Sequence, residues 1–411
     1  MAAMANANAD AATAKTGTTE EQEPGTRRTP VTILTGLLGA GKTTLLRGLL
    51  NGDHGRRLAV IENEFGDEKG IERLIARDQE GASVDLEDLF VELSNGCVCC
   101  AVKDDLVTTL EGLLERSNKF DQIVVETTGV ADPGPLAGIF WLDEALESRI
   151  FLDGIVAVAD AKNLHRHVDD PRKQAGSGVV NEAVKQLGYA DRIVLNKTDL
   201  VDEEGLEAAR SRVKEINALA QVHETSYSKV DPEFVLDVRG YTTISETSGH
   251  QLSALQRELL AQEPGQSAAV SEESGAAGSA AGGHKHEHEH DGECDASCES
   301  AHGRHDASIT SCVVRVGSLG LNQAKLESWL GKMLWEPSGG VEIFRVKGIV
   351  NIASSDHVHI LQGVHETFEI DASQEAWGSK TFPERDTRIV FIGRNLDVAA
   401  LTTGLREEAA E

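Results

Sequence analysis

The sequence predicts an α/β protein, a mainly parallel sheet flanked by helices, followed by a smaller α+β unit. Three observations carry that expectation. Short apolar runs at 31–34, 57–61, 122–125, 154–159 and 192–195 alternate with stretches of helical period, the pattern of strands joined by helical crossovers. Each run ends in polar residues able to do chemistry, and such sheets bind ligands at the carboxyl ends of their strands. Patterning then stops over 262–306 and resumes at Ser308, where alternation at 310–316 gives way to a helical face of Leu321, Leu326, Trp329, Leu330, Met333 and Leu334. At 411 residues the chain exceeds what one core usually organises. The expected division is a disordered tail at 1–29, the α/β domain at 30–245, a disordered linker at 262–306 and the small domain at 308–400.

The first strand runs directly into Gly36-Leu37-Leu38-Gly39-Ala40-Gly41-Lys42-Thr43-Thr44, after which leucines recur at helical spacing. Gly, four residues, then Gly-Lys-Thr between a strand and a helix is the spacing of a phosphate-binding loop, in which backbone N–H groups curl around a polyphosphate at a helix N-terminus. Lys42 is expected to reach the β- and γ-phosphates and Thr43 to ligate Mg²⁺.

The second strand ends in Glu62-Asn63-Glu64-Phe65-Gly66, where an acid next to the phosphate site could act on Mg²⁺, on a second metal or on the attacking water. Nothing sharper is legible at 70–90. Cys97, Cys99 and Cys100 follow, too closely spaced for unstrained disulfides with one another. Their spacing suits a soft ion such as Zn²⁺ with a fourth ligand from Glu64 or a histidine; copper(I), redox chemistry or simple burial are the other readings. The Asn95-Gly96 turn places the cysteines on a loop before a helix at 104–116. Glu126-Thr127-Thr128-Gly129 closes the next strand. Its acid stands where such proteins organise Mg²⁺, directly or through a water, and Gly129 can offer its N–H to the γ-phosphate.

Strand 192–195 ends in Asn196-Lys197-Thr198-Asp199, which decides the base. Guanine presents N1–H and N2–H side by side to one carboxylate, whereas adenine presents a lone pair to it. Asp199 is therefore the specificity residue, Asn196 braces the loop, and the Lys197 stem lies over the base. A helix at 206–219, a strand at 221–225 and an extended exit at 231–244 complete the domain. The linker carries His284, His286, His288, His290, Cys294, Cys298, His302 and His305, either a solvating spacer or a metal-collecting tract. In the small domain, strands are expected at 343–352, 359–368 and 388–392. Cys312, His357, His359 and His365 are expected to serve the fold.

With 68 acidic against 39 basic residues, a formal charge of -29 argues against nucleic acid or an anionic membrane as partner. No apolar run is long enough to span a bilayer, and acids at 10–23 argue against an organelle transit peptide. The expected location is cytoplasmic, with the nucleus also open.

Taken together, the phosphate loop, the ENEFG, GCVCC, ETTG and NKTD segments and, in the small domain, RVKG, QGVHE and IVFIGRNL resemble the CobW family of metallochaperone GTPases, and its eukaryotic zinc-chaperone branch in particular, over about 30–397. The resemblance implies Mg-GTP binding with slow hydrolysis coupled to delivery of Zn²⁺ to a client metalloprotein. Cys97, Cys99 and Cys100 then match the family's metal-binding motif, and Glu64 matches the acid that completes it. The branch that activates methionine aminopeptidase carries a proline and valine docking motif near its amino terminus; 1–30 has no such motif, so the client stays open. A homodimer across the nucleotide is a further expectation. A metal-storage protein with structural nucleotide binding and a cobalt-directed chaperone are the alternatives.

Overall fold

The computed structural model describes residues 28–62, 90–92, 100–115, 120–129, 131–142, 149–170, 181–241, 309–336 and 339–411. Seven strands form the first sheet: β1 (Thr29–Thr35), β2 (Leu58–Glu62), β3 (Phe90–Glu92), β4 (Gln122–Glu126), β5 (Ile150–Asp160), β6 (Arg192–Asn196) and β7 (Gln221–Glu224). Their order is β3-β2-β4-β1-β5-β6-β7 and every pairing is parallel. The central strands β4, β5 and β6 are largely apolar and buried because both faces are covered. Ile33, Ile123, Ile155 and Ile193 pack on one side, and Leu34, Val124, Val156 and Val194 on the other.

Helix α1 (Lys42–Asn51) buries Leu45, Leu46 and Leu49 against the second of these faces. Against the first lie α2 (Cys100–Leu114), α3 (Pro133–Leu142), α4 (Leu164–Val168), α5 (Glu182–Tyr189) and α6 (Glu203–Ile216). Side-chain caps start two of them: Asn181 accepts the Val184 N–H, and Asp202 the Gly205 N–H.

The second sheet is antiparallel, ordered β11-β10-β9-β12-β8. It comprises β8 (Ile309–Gly317), β9 (Glu342–Val350), β10 (His357–Val364), β11 (Thr367–Ala376) and β12 (Thr387–Arg394). One face packs under α8 (Gln323–Trp335) and α9 (Val398–Glu407), through Val314, Val346, Leu361 and Phe391. The opposite face, with Phe344, Ile360, Val364 and Ile392, joins the core of the first sheet's helical layer. The two units therefore share one apolar core. At its centre Arg345 and Asp191, 1% and 5% exposed, form an ion pair. Arg345 also donates to the Ala190 carbonyl at 2.9 Å and stacks its guanidinium over Tyr241, while Asp191 accepts the Ile155 N–H at 2.9 Å.

Several expected boundaries shift. Strand β5 starts at Ile150, earlier than expected, because residues 150–152 pair with the start of β1, before a bulge at Asp153. The segment expected to extend away at 231–244 instead forms a short helix, α7 (Glu233–Leu236), and turns back: Val238 and Arg239 donate N–H groups to buried Asp153. What was expected as one strand at 359–368 is a hairpin of β10 and β11, possible because His365 takes a left-handed φ of 55° in a two-residue turn. The helix expected at 104–116 begins at Cys100, which thereby belongs to α2. Cys312 is a buried free thiol, pushed up to about 12 by burial.

Candidate nucleotide site

The loop between β1 and α1 supplies the first half of the site. Gly36, Gly39 and Gly41 all have positive φ, at 136°, 76° and 116°. Two of them are also required by space: a Cβ on Gly36 would lie 2.3 Å from the Val158 carbonyl oxygen, and one on Gly41 would lie 2.4 Å from Asn196 Nδ2. Gly41 stands at the α1 N-cap and no side chain caps that end, so the first-turn N–H groups remain for an anion. Ala40 is buried and Thr44 exposed at the helix start. Lys42, mostly buried, donates to the carbonyls of Gly36 at 2.7 Å and Leu37 at 3.4 Å, which arches its ammonium over the loop.

Strand β4 brings the acid. Parallel register sets Leu34 beside Glu126, and Glu126 beside Glu62, which in turn pairs with Glu92. The Thr43 hydroxyl donates to Glu126 Oε1 at 3.5 Å. A hydroxyl and a buried carboxylate facing each other at this separation form a hard oxygen pair that fits Mg²⁺ beside a phosphate. The Thr128 hydroxyl, buried and without a protein hydrogen-bond partner among the described residues, adds a further oxygen in the same loop. Gly129 packs so closely on the phosphate loop that a Cβ there would lie 2.5 Å from Leu38 N.

The loop after β6, expected to read the base, is tied to the loop after β1 by Asn196. Its Nδ2 donates to the Ala40 carbonyl and to Ser228 Oγ, both at 2.8 Å, and its Oδ1 accepts the Ser228 N–H at 2.9 Å. Ser228 Oγ donates onward to the Gly41 carbonyl at 3.0 Å. Lys197 takes a left-handed φ of 63° and its ammonium meets Asp160 Oδ2 at 2.7 Å. Burial pushes the Asp160 carboxyl up, but bonds from Lys197 and Asn163 outweigh that and hold it below the usual carboxylate range. Asp199 is exposed in a one-turn 3-10 helix, Thr198–Leu200, beside this loop.

Sequence reasoning missed Ser228, Tyr227 and the role of Asp160. Tyr227 and Ser228 follow β7 with left-handed φ of 58° and 53°, a strain costing about 1–3 kcal/mol per residue that the Asn196–Ser228 bonds help to offset. Their only signal was position after a strand, in the small polar run Thr225-Ser226-Tyr227-Ser228. A cleft between the loop and β5 is lined by Leu37, Leu38, Val158, Asp160, His167 and Gln186.

The structure thus gathers Gly36, Gly39, Ala40, Gly41, Lys42, Thr43, Glu126, Gly129, Asn196, Lys197 and Asp199 at one edge of the sheet. Glu64, Cys97 and Cys99 lie outside the described residues, as does the linker at 262–306; of Cys100 the backbone alone is described.

Comparison with known proteins bears on the family and the fold. Residues 30–224 match the CobW/HypB/UreG nucleotide-binding domain, and residues 309–409 the cobalamin synthesis protein cobW C-terminal domain. The chain is 37% identical over 375 residues to zinc-regulated GTPase metalloprotein activator 1 of Schizosaccharomyces pombe, covering 89% of this chain and 82% of that one. It is 40% identical over 215 residues to the zinc chaperone YjiA of Escherichia coli, covering 51% and 62%. The crystal structure of Zn(II)-bound YjiA GTPase superposes with a TM-score of 0.61 at 26% identity, over 93% of this chain and 99% of that one. On the full-length match, the two domain matches and the shared fold, the chain belongs to the CobW family of P-loop GTPases.

Proposed function

We propose that this protein is a GTP-dependent zinc metallochaperone. Cys97, Cys99 and Cys100, with Glu64, are assigned to the metal, which is cargo, and hydrolysis of GTP sets when it is released to a client metalloprotein. The observation that carries the reading is the register Glu92–Glu62–Glu126. The strand preceding Glu64 ends beside Glu126, whose carboxylate faces Thr43, and the strand preceding Cys97 ends one strand further out, beside Glu62, so the metal-bearing segments start from the same edge of the sheet. The names of the relatives, zinc-regulated activator and zinc chaperone, support zinc as the cargo.

In this reading Gly36 to Thr43 hold the phosphates, with Lys42 on the β- and γ-phosphates and Thr43 and Glu126 around Mg²⁺. That ion neutralises charge developing during hydrolysis. Gly129 turns its N–H to the γ-phosphate, and Asp199 accepts the two guanine donors. When the γ-phosphate leaves, the Gly129 contact is lost, and the loops return to an arrangement of different metal affinity. Titrating Zn²⁺ into the protein with a non-hydrolysable GTP analogue and with GDP tests this. Different affinities, both abolished in Cys97→Ala, are expected; equal affinities would remove the coupling.

One observation favours a second reading, storage: the His- and Cys-rich tract at 284–305. Deleting it separates the two, because storage predicts loss of most tight metal sites with Cys97→Ala silent. Metal-limited growth of a deletion strain distinguishes zinc from cobalt by which ion restores it. Among the described residues no helix is long and apolar enough to cross a membrane; we place the protein in the cytoplasm, with nuclear entry to be read by fractionation.

A further inference from the structure

Helix α5 grips the loop after β4 at three successive points. Gln186, buried, donates Nε2 to the carbonyls of Gly129 at 3.2 Å and Ala131 at 3.1 Å. Lys185 reaches Asp132 Oδ2 at 3.0 Å, while Asp132 uses its other oxygen to accept the Gly134 N–H at 2.9 Å and so fixes the entry to α3. The same ammonium lies 2.5 Å from Glu342 Oε1, at the first residue of β9 in the C-terminal sheet.

Two further contacts draw that sheet to the same place. Lys185 sits over the Phe344 ring, 5.7 Å from its centroid. The β10–β11 turn packs beside Tyr189 against the start of α3, where a Cβ on Gly134 would meet Tyr189 Oη at 2.6 Å and His365 Cδ2 at 2.8 Å. Burial pushes the Lys185 ammonium down, but Asp132 and Glu342 together raise it, so it remains a cation between two carboxylates.

We propose that Lys185 is a positioning residue for GTP hydrolysis: it links Glu342 of the C-terminal sheet to Asp132, and through Asp132 to the placement of Gly129. This rests on the reading that Gly129 serves the γ-phosphate. By linkage, the state of the nucleotide loop and the seating of the C-terminal sheet then bias each other.

The test uses the full chain and five variants, each first confirmed by thermal unfolding. Lys185→Met and Glu342→Gln are each expected to lower kcat for GTP by at least ~5-fold with GDP affinity unchanged. The double variant should be no worse than Lys185→Met, and Lys185→Arg should recover most of kcat. Glu342→Gln changes a side chain about one-third exposed and so stays informative should Lys185→Met fold poorly. Wild-type kcat in Glu342→Gln, or no recovery in Lys185→Arg, overturns the inference. Gly129→Ala separates the two layers. If it hydrolyses GTP normally, the assignment of Gly129 fails; if it is impaired while Lys185→Met and Glu342→Gln are not, the positioning role alone fails.

Discussion

Replacing Asn196 by Ala tests the brace between the phosphate and base-reading loops. The side chain is 2% exposed and makes three hydrogen bonds, to the Ala40 carbonyl, to Ser228 Oγ and from the Ser228 N–H. Each bond contributes about 0.5–1.5 kcal/mol net, and groups left buried without partners cost about 1–3 kcal/mol each. A loss of roughly 3 kcal/mol is therefore expected in the nucleotide-free chain, which holds these bonds already. Ser228→Ala removes only the hydroxyl contacts, to Asn196 and to the Gly41 carbonyl, and should lose roughly half as much. Because the two share a network, the double variant should lose less than the sum. The assay is urea unfolding without nucleotide, paired with titration of GDP. An unchanged unfolding midpoint in Asn196→Ala would refute the brace, and additive losses would refute the network.

Three other perturbations check separate parts of the argument. Asp199→Asn should lose the preference for GTP over xanthosine triphosphate; a retained preference in competition binding would contradict its role at the base. Asp160→Asn should cost about 1 kcal/mol or less near pH 7, since Lys197 is partly exposed. Because the Asp160 carboxyl is held below its unfolded value, that stabilisation is complete above about pH 4 and fades as pH falls through the folded value, so wild type and variant should converge in acid unfolding. Arg345→Met should lose about 3 kcal/mol, the low end for breaking a buried pair because Lys347 stays 3.7 Å from Asp191, with Asp191→Asn added to it recovering part of the loss in thermal unfolding.

The motifs were legible because each is a short run in which spacing alone implies a backbone shape. Gly36, Gly39 and Gly41 are glycines where the loop takes positive φ, and Glu126 and Asn196 end strands whose parallel register carries them to one edge. Lys185, Gln186 and Ser228 were illegible for the opposite reason: their partners lie 53, 57 and 32 residues away, and nothing local marks the pairing. The exit at 231–244 was misread because its partner, Asp153, looks in sequence like an ordinary strand acid. Its burial, which pushes the carboxyl up, and its two backbone N–H partners emerge only once the chain has turned back.

Two of the ionic contacts between the units, which also include Lys347 with Asp191 at 3.7 Å, differ in kind. Arg345 and Asp191 meet at the amino end of β6, almost fully buried, where removing one partner costs several kcal/mol and motion would expose an unpaired charge. Lys185 and Glu342 meet beside the Gly129 loop, with Glu342 about one-third exposed and Lys185 10% exposed, so water screens the carboxylate while the ammonium depends on its two carboxylate partners. The asymmetry gives the two contacts separate readouts: substitution at Arg345 should show in stability, and substitution at Lys185 or Glu342 in the proposed coupling to the Gly129 loop.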